Sequence, residues 1–151
     1  MDEKTVARNK KAGFEYFLLE HIEAGIALQG SEIKSIKNGQ MSLQEAFVEI
    51  KTGEAWLMNS HIAHYIQANR NNHDPLRPRR LLLHKKEIRK LYEQVKLKGV
   101  TIVPVRVYIL DGKAKVEIAV AKGKKLYDKR ESIAERDRDR QAKREKGSEG
   151  W

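Results

Sequence analysis

The stretch from Val100 to Val120 constrains the fold more than any other. Val100 to Leu110 is rich in branched residues, and Ala114, Val116, Ile118 and Val120 alternate with Lys113, Lys115, Glu117 and Ala119. A two-residue repeat of apolar side chains is the strand period, which buries one face and leaves the other wet. Between the two runs stands Asp111-Gly112, a pair that accepts the positive φ angles of a two-residue hairpin turn. A long antiparallel hairpin is therefore predicted, and the rest of the chain must supply the surface it packs against. Pro104 cannot donate to a sheet ladder, so an edge or a bulge is expected there.

The remainder reads as more of the same architecture. Ile22, Ala24, Ile26 and Leu28 alternate with Glu23, Gly25, Ala27 and Gln29, which predicts a first strand bent at Gly25. Ser31 is placed to cap a short helix holding Ile33 and Ile36, and Asn38-Gly39 to end it. Ala46, Val48 and Ile50 form a further alternating strand. Thr52-Gly53 turns the chain, and Ala55 to Met58 returns it, continuing through Ile62 and Tyr65. Residues 67–80 hold Asn, Pro and Arg without periodicity and predict an exposed loop. Ile88, Leu91, Tyr92 and Val95 follow helical spacing, with Glu87 in the first turn and Gly99 past the end. Five antiparallel strands with a helix between the third and fourth fit a mainly β fold: an OB-fold-like closed antiparallel β-barrel with two or three helices.

The ends differ from this body. Residues 1–13 are polar and predicted to be flexible. Residues 122–151 carry few large apolar side chains, chiefly Leu126, Tyr127, Ile133 and Trp151, too few to offset the cost of ordering the chain. The expected organisation is a barrel over 1–121 and a basic tail over 122–151, disordered when free and helical once a partner neutralises its charge.

Charge points to that partner. The net charge is +10 in 151 residues, and it is localised. Residues 75–98 hold nine Lys/Arg against two acids, and residues 122–151 hold eleven against seven. A surplus confined to two segments points to a polyanion, nucleic acid or anionic membrane, rather than to solubility alone. No apolar run approaches the roughly 20 residues of a membrane span, and the polar N-terminus has no secretory character. Cys is absent, which excludes disulfides and thiolate metal sites and suits a reducing cytoplasm.

Catalytic signals are weak. There is no GxxxxGK[ST] phosphate loop, GxGxxG, GxSxG or HExxH, and neither a cofactor nor a metal is expected. Of the five His, His73 beside Asp74 is the best pair for acid–base cleavage of RNA; the plainer reading, that Asp74 turns the chain before Pro75, is preferred. Arg77, Arg79 and Arg80, with Lys85, Lys86, Arg89 and Lys90, suit phosphate contacts. Tyr65, Tyr92 and Tyr127 are near this charge and could stack on bases, though Tyr65 and Tyr92 read as partly core.

Six separated stretches then resemble one family in order: Asn9-Lys10-Lys11-Ala12, Glu23-Ala24-Gly25-Ile26, Gly30 to Ser35, Asn72-His73-Asp74-Pro75, Arg80 to Lys85, and Gly123 to Arg130. The chain resembles the SmpB family of SsrA-binding proteins over about residues 9 to 140. His64 and Ala46 depart from the family's usual proline and serine. The resemblance implies binding to the tRNA-like domain of tmRNA and its delivery to stalled ribosomes for trans-translation. It also implies a cytoplasmic monomer that works alongside elongation factor Tu and alanyl-tRNA synthetase, which act on the same RNA.

The residues expected to bind tmRNA are Asn9, Lys10, Lys11, Tyr16, Glu23, Arg79, Arg80, Leu82, Lys122, Gly123, Lys124 and Lys125. Asn9 would pair with a base edge, Glu23 would accept from an exocyclic amine, Leu82 would pack on an unstacked base, and the lysines would grip phosphates. Tyr127, Asp128, Lys129 and Arg130 match the family's tail motif for the ribosomal decoding centre. There Arg130 would bind phosphate in bidentate fashion. Two other readings stay open: a different OB-type translation factor that binds the ribosome without tmRNA, and a small ribonuclease built on His73-Asp74.

Overall fold

The structure is a computed structural model that describes residues 3–65 and 72–124. It is mainly β. The elements are β1 (Glu3–Arg8), α1 (Ala12–Glu15), β2 (Tyr16–Ile26), α2 (Gly30–Lys37), β3 (Met41–Ser42), β4 (Phe47–Lys51), β5 (Glu54–Met58), β6 (His61–Ile62), β7 (Arg79–Leu82), α3 (Lys85–Lys98), β8 (Thr101–Leu110) and β9 (Lys113–Gly123).

The long hairpin is present as expected. β8 and β9 pair from Thr101 with Ala121 to Leu110 with Lys113, and Asp111 (φ 51°) and Gly112 (φ 77°) make the turn. The register slips between Pro104 and Arg106, where the proline leaves the ladder without a donor. The free edge of β9 is taken by β2, from Tyr16 with Gly123 to Gly25 with Lys115. β2 continues through β7 and β5 to β4, and β4 meets β8 at Val48 with Ile102. The pairings of these six strands thus run round a closed circuit. β1 lies along the other half of β8, from Glu3 with Leu110 to Arg8 with Arg106. Inside sit Val48, Leu57, Leu81, Ile102, Val107, Val116 and Ile118, with Ile36 of α2 and Leu91 of α3 closing over them.

Several expectations need correction. Residues 3–13 form β1 and the start of α1, because β8 offers an open edge that β1 satisfies. The bend in β2 falls between Leu18 and Glu20. Gly25 instead lies where β7 and β9 both pair with β2, and a Cβ there would meet the Leu82 Cβ at 3.2 Å. Ser31 is inside α2; Gln29 is the cap, and its backbone N–H donates to Glu32 Oε1 at 2.8 Å. The return strand breaks at Asn59, in the left-handed region at φ 58°, and residues 61–62 turn aside to pair with β3. β9 runs to Gly123, two residues past the boundary expected for the barrel.

The largest correction concerns residues 72–80, predicted to be an exposed loop. His73 is 4% exposed and Arg79 0%, because this stretch is anchored on a buried carboxylate. Glu32, also fully buried, accepts from Arg79 Nε at 2.6 Å and Arg77 Nη2 at 2.5 Å. The rest of the Arg79 guanidinium donates to the Ser60 carbonyl at 2.8 Å, the Ser60 hydroxyl at 3.1 Å, the Pro75 carbonyl at 3.1 Å and the Asp74 carbonyl at 3.3 Å. Burial alone would raise the Glu32 pKa, but the hydrogen bonds from Arg77, the Gln29 amide and Arg79 outweigh it and hold the carboxyl below its ordinary value. Desolvation lowers the Arg79 pKa, from a value so high that the group stays charged.

Breaking a buried pair strands the surviving charge. Glu32→Ala is expected to lower unfolding free energy by about 3–5 kcal/mol, read from urea midpoints. The depressed Glu32 pKa also sets a pH window. Its contribution is complete above the ordinary value of 4.5 and is lost as pH falls through the lower folded value. Urea midpoints should therefore fall more steeply below pH 4.5 in the parent chain than in Glu32→Gln.

Candidate nucleic-acid interface

β7 has the sequence Arg-Arg-Leu-Leu, and the strand period sorts it. Arg79 and Leu81 point inward, while Arg80 and Leu82 point outward. Leu82 is 49% exposed. Its neighbour across the ladder is Gly25, whose missing side chain leaves room for it. Glu23, Gly25, Arg80, Leu82, Lys85 and Lys115 line one cleft of about 500 Å³. The cleft combines an apolar wall, the carboxylates of Glu23, Glu54 and Glu87, and cations from three elements.

Glu23 is held, not loose. The buried Tyr108 donates its hydroxyl to Glu23 Oε2, and the Arg106 guanidinium lies 4.2 Å from the Tyr108 ring centroid. Burial, then the hydrogen bond to Glu23, pushes the Tyr108 pKa up, so the phenol stays a donor. Across the ladder from Glu23 is Glu117, a like charge that would be unfavourable there. It is answered by His21 Nδ1 at 2.9 Å and Arg106 Nε at 3.2 Å. Burial opposes ionisation of Glu117, but these two partners hold its pKa below the ordinary value. Glu23 therefore presents an oriented carboxylate that can accept from a donor in the cleft.

A second group gathers at the other end of β2, about 23 Å away at the rise of a strand. Tyr16 pairs with Gly123 and Phe17 with Lys122. The Lys124 amide donates to the Glu15 carbonyl at 2.9 Å and its Nζ to the Gly13 carbonyl at 3.0 Å. Lys10 is exposed, and Lys11 Nζ lies 3.4 Å from the exposed Glu45 carboxylate, a pair worth little in water. Lys122 is fully on the outer face. These cations and an aromatic can hold a phosphate backbone and stack a base.

Three expected contacts fail on geometry. Arg79 is buried with its donors committed to Glu32, Ser60, Pro75 and Asp74, so it is a structural residue and not an RNA contact. Arg77 is half-turned to the same carboxylate. Asn9 cannot pair with a base in both directions, because its acceptor Oδ1 is buried without a hydrogen-bond partner; its Nδ2 donates to the Pro104 carbonyl at 3.0 Å. Lys125, Tyr127, Asp128, Lys129 and Arg130 lie outside the described residues.

His73 has no spare nitrogen for acid–base chemistry. Nε2 donates to the Ile62 carbonyl and Nδ1 accepts from the Ser31 hydroxyl, both at 2.8 Å, and Asp74 Oδ1 accepts from the Leu76 amide at 3.0 Å in a local turn. Reasoning from the sequence overlooked Phe17 (42% exposed), Leu19 (58% exposed) and Lys115. The signal was there: the outward positions of β2 are Phe17, Leu19, His21 and Glu23.

Comparison with known proteins is consistent across sequence and structure. The family model described as "SmpB protein" matches residues 6–148. The chain is similar to the SsrA-binding protein of Desulforudis audaxviator (strain MP104C), 53% identical over 142 residues, covering 94% of this chain and 93% of the relative. It is similar to that of Sulfurihydrogenibium sp. (strain YO3AOP1), 58% identical over 141 residues, covering 93% of each. A solved chain described as "tmRNA-SmpB: a journey to the center of the bacterial ribosome" superposes with a TM-score of 0.68 at 42% identity, covering 83% of this chain and 92% of that one.

Salt titration separates the two kinds of contact. Lys122→Gln with Lys124→Gln removes up to two phosphate contacts and should lower the slope of log affinity for RNA against log salt by about 0.9 for each. Leu82→Ala should weaken binding and leave that slope unchanged.

Proposed function

The chain belongs to the SmpB family, and from that premise we propose that it binds the tRNA-like domain of tmRNA and delivers it to stalled ribosomes for trans-translation. The observation that carries the reading is the meeting of Glu23 with Arg80 and Leu82, which lie far from it in sequence, in one cleft with Lys85 and Lys115. Such a cleft has an acceptor for a base amine, an apolar wall for an unstacked base and cations for the backbone. RNA recognition uses these three elements on single-stranded loops and ends. Lys10, Lys122 and Lys124 at the other end of β2 extend the contact along the phosphates, with Tyr16 beside them.

The fold that goes with this role is an OB-fold-like barrel. The closed circuit of six paired strands supports it, and barrels of that type are frequent platforms for oligonucleotides. The body ends with β9, and the segment after it, with Tyr127, Asp128, Lys129 and Arg130, contacts the decoding centre and the empty message channel. The role is non-enzymatic and needs no cofactor or metal; the engagement of both His73 nitrogens argues against the ribonuclease reading. The protein works in the cytoplasm as a monomer, with elongation factor Tu and alanyl-tRNA synthetase acting on the same RNA. Among the described residues no helix is long and apolar enough to cross a membrane.

Gel shifts test the binding half of the reading. At moderate salt the chain should prefer the tRNA-like domain of tmRNA to an unrelated hairpin RNA, and equal affinities contradict it. A chain ending at Lys125 should still bind this RNA but fail to support tagging of stalled nascent chains. Tagging at the parental level would refute the division between body and tail.

A further inference from the structure

The stripe Ile88, Leu91, Tyr92 and Val95 predicts a helix face turned to the core. Only the first two are buried. Tyr92 is 49% exposed and Val95 38%, while Gln94 between them donates to Glu20 of β2 at 3.4 Å. The exposed ring does not stand in open solvent. It lines a groove of about 420 Å³ between α3 and the β4–β5 turn, with Ile50 and Ile88 in its floor. Lys85 and Arg89 line the same groove. These two and Tyr92 stand at i, i+4 and i+7, on one side of the helix. Opposite them is the Thr52-Gly53 turn, with both residues at positive φ, and Glu54 is the groove's acid. Lys96 Nζ adds a further cation 6.0 Å from the Tyr92 ring centroid.

This groove is continuous with the cleft of Glu23 and Leu82. Glu54, Lys85 and Ile88 line both. α3 as a whole carries six Lys/Arg against two Glu, so the helix side of the joined surface, with Arg89 and Lys96, is the side suited to a polyanion. An aromatic face with cations one turn away is the arrangement that holds an unstacked base and its flanking phosphates.

We propose that the α3 groove is a second base-binding subsite, in which Tyr92 stacks on an unpaired nucleotide of the RNA seated in the Glu23–Leu82 cleft, while Lys85 and Arg89 hold the adjoining phosphates. The inference rests on the RNA-binding reading above and extends its footprint from the sheet onto the helix. Continuity with the cleft makes the tRNA-like domain of tmRNA the occupant. The exposure of Tyr92 means that replacing it removes little packing.

The test is fluorescence anisotropy of labelled tRNA-like domain titrated with the full chain, its parent form compared with Tyr92→Ala, Tyr92→Phe, Leu82→Glu, and Lys85→Gln with Arg89→Gln. Tyr92→Ala should weaken binding by roughly tenfold to a hundredfold, the scale of one base–aromatic stack, with an unchanged salt slope. Tyr92→Phe should stay within about twofold of the parent. The double variant should lower the salt slope by about 1.4, at about 0.7 for each contact beside an unpaired nucleotide. Affinity for Tyr92→Ala within about twofold of the parent overturns the subsite, as does a Tyr92→Phe chain as weak as Tyr92→Ala. If Leu82→Glu weakens binding and Tyr92→Ala does not, the cleft stands and the helix subsite falls. If the parent chain does not prefer this RNA to an unrelated hairpin, the functional reading itself fails and the subsite with it. Thermal melts of each variant, expected to coincide with the parent, separate these outcomes from loss of fold.

Discussion

Glu32 is a fully buried carboxylate with two arginines on it, and much of the molecule is arranged around that fact. Taking one charge out of water costs several kcal/mol, and the attraction between partners repays it only with good geometry and full hydrogen bonding. Here both conditions hold. The pair joins α2, where Glu32 sits, to β7, where Arg79 sits, and through Arg79 to Ser60 before β6 and to the carbonyls of Asp74 and Pro75. His73 adds a parallel tie from Ser31 of α2 to Ile62 of β6. A segment with no periodicity of its own is thereby fixed at the N-terminal end of β7.

The position of β7 decides what the outer surface can do. With Arg79 and Leu81 held inward, alternation sends Arg80 and Leu82 outward beside Glu23, Gly25 and Lys115. The side chains of Arg79 and Arg80 are neighbours in sequence and have opposite roles. The basic excess of residues 75–98 is accordingly smaller at the surface than a count of charges suggests. Arg79 and Arg77 answer Glu32, and Lys90 lies 3.0 Å from Glu20. What faces outward is a narrower set, Arg80, Lys85, Lys86, Arg89, Lys90, Lys96 and Lys98, concentrated at the end of β7 and along α3.

The parts of this fold that were legible in the sequence are those with a local signal. The β8–β9 hairpin declares itself through alternation and Asp111-Gly112, the bulge through Pro104, and the ends of α2 and α3 through Gly39 and Gly99. β7 was missed because a four-residue strand with two arginines has no period to detect. The Glu32–Arg79 pair was missed because its members are 47 residues apart, and nothing in either neighbourhood marks them as partners. Tyr92 was read as partly core and is half exposed; helical spacing reports which residues share a face, not how fully each is covered. Of the site, Glu23 and Leu82 came from the family resemblance, whereas their meeting in one cleft is a matter of register that only the folded chain reveals.

The central claim is that the RNA lies on the outer side of β7 and along β2. Nuclear magnetic resonance of isotope-labelled protein, titrated with the tRNA-like domain of tmRNA, tests it most directly. The largest amide shifts should fall on Gly25, residues 80–85 and residues 122–124, with Lys34, Ser35 and Lys37 of α2 little changed. Large shifts on that helix, with Leu82 and Lys122 unmoved, would contradict the account.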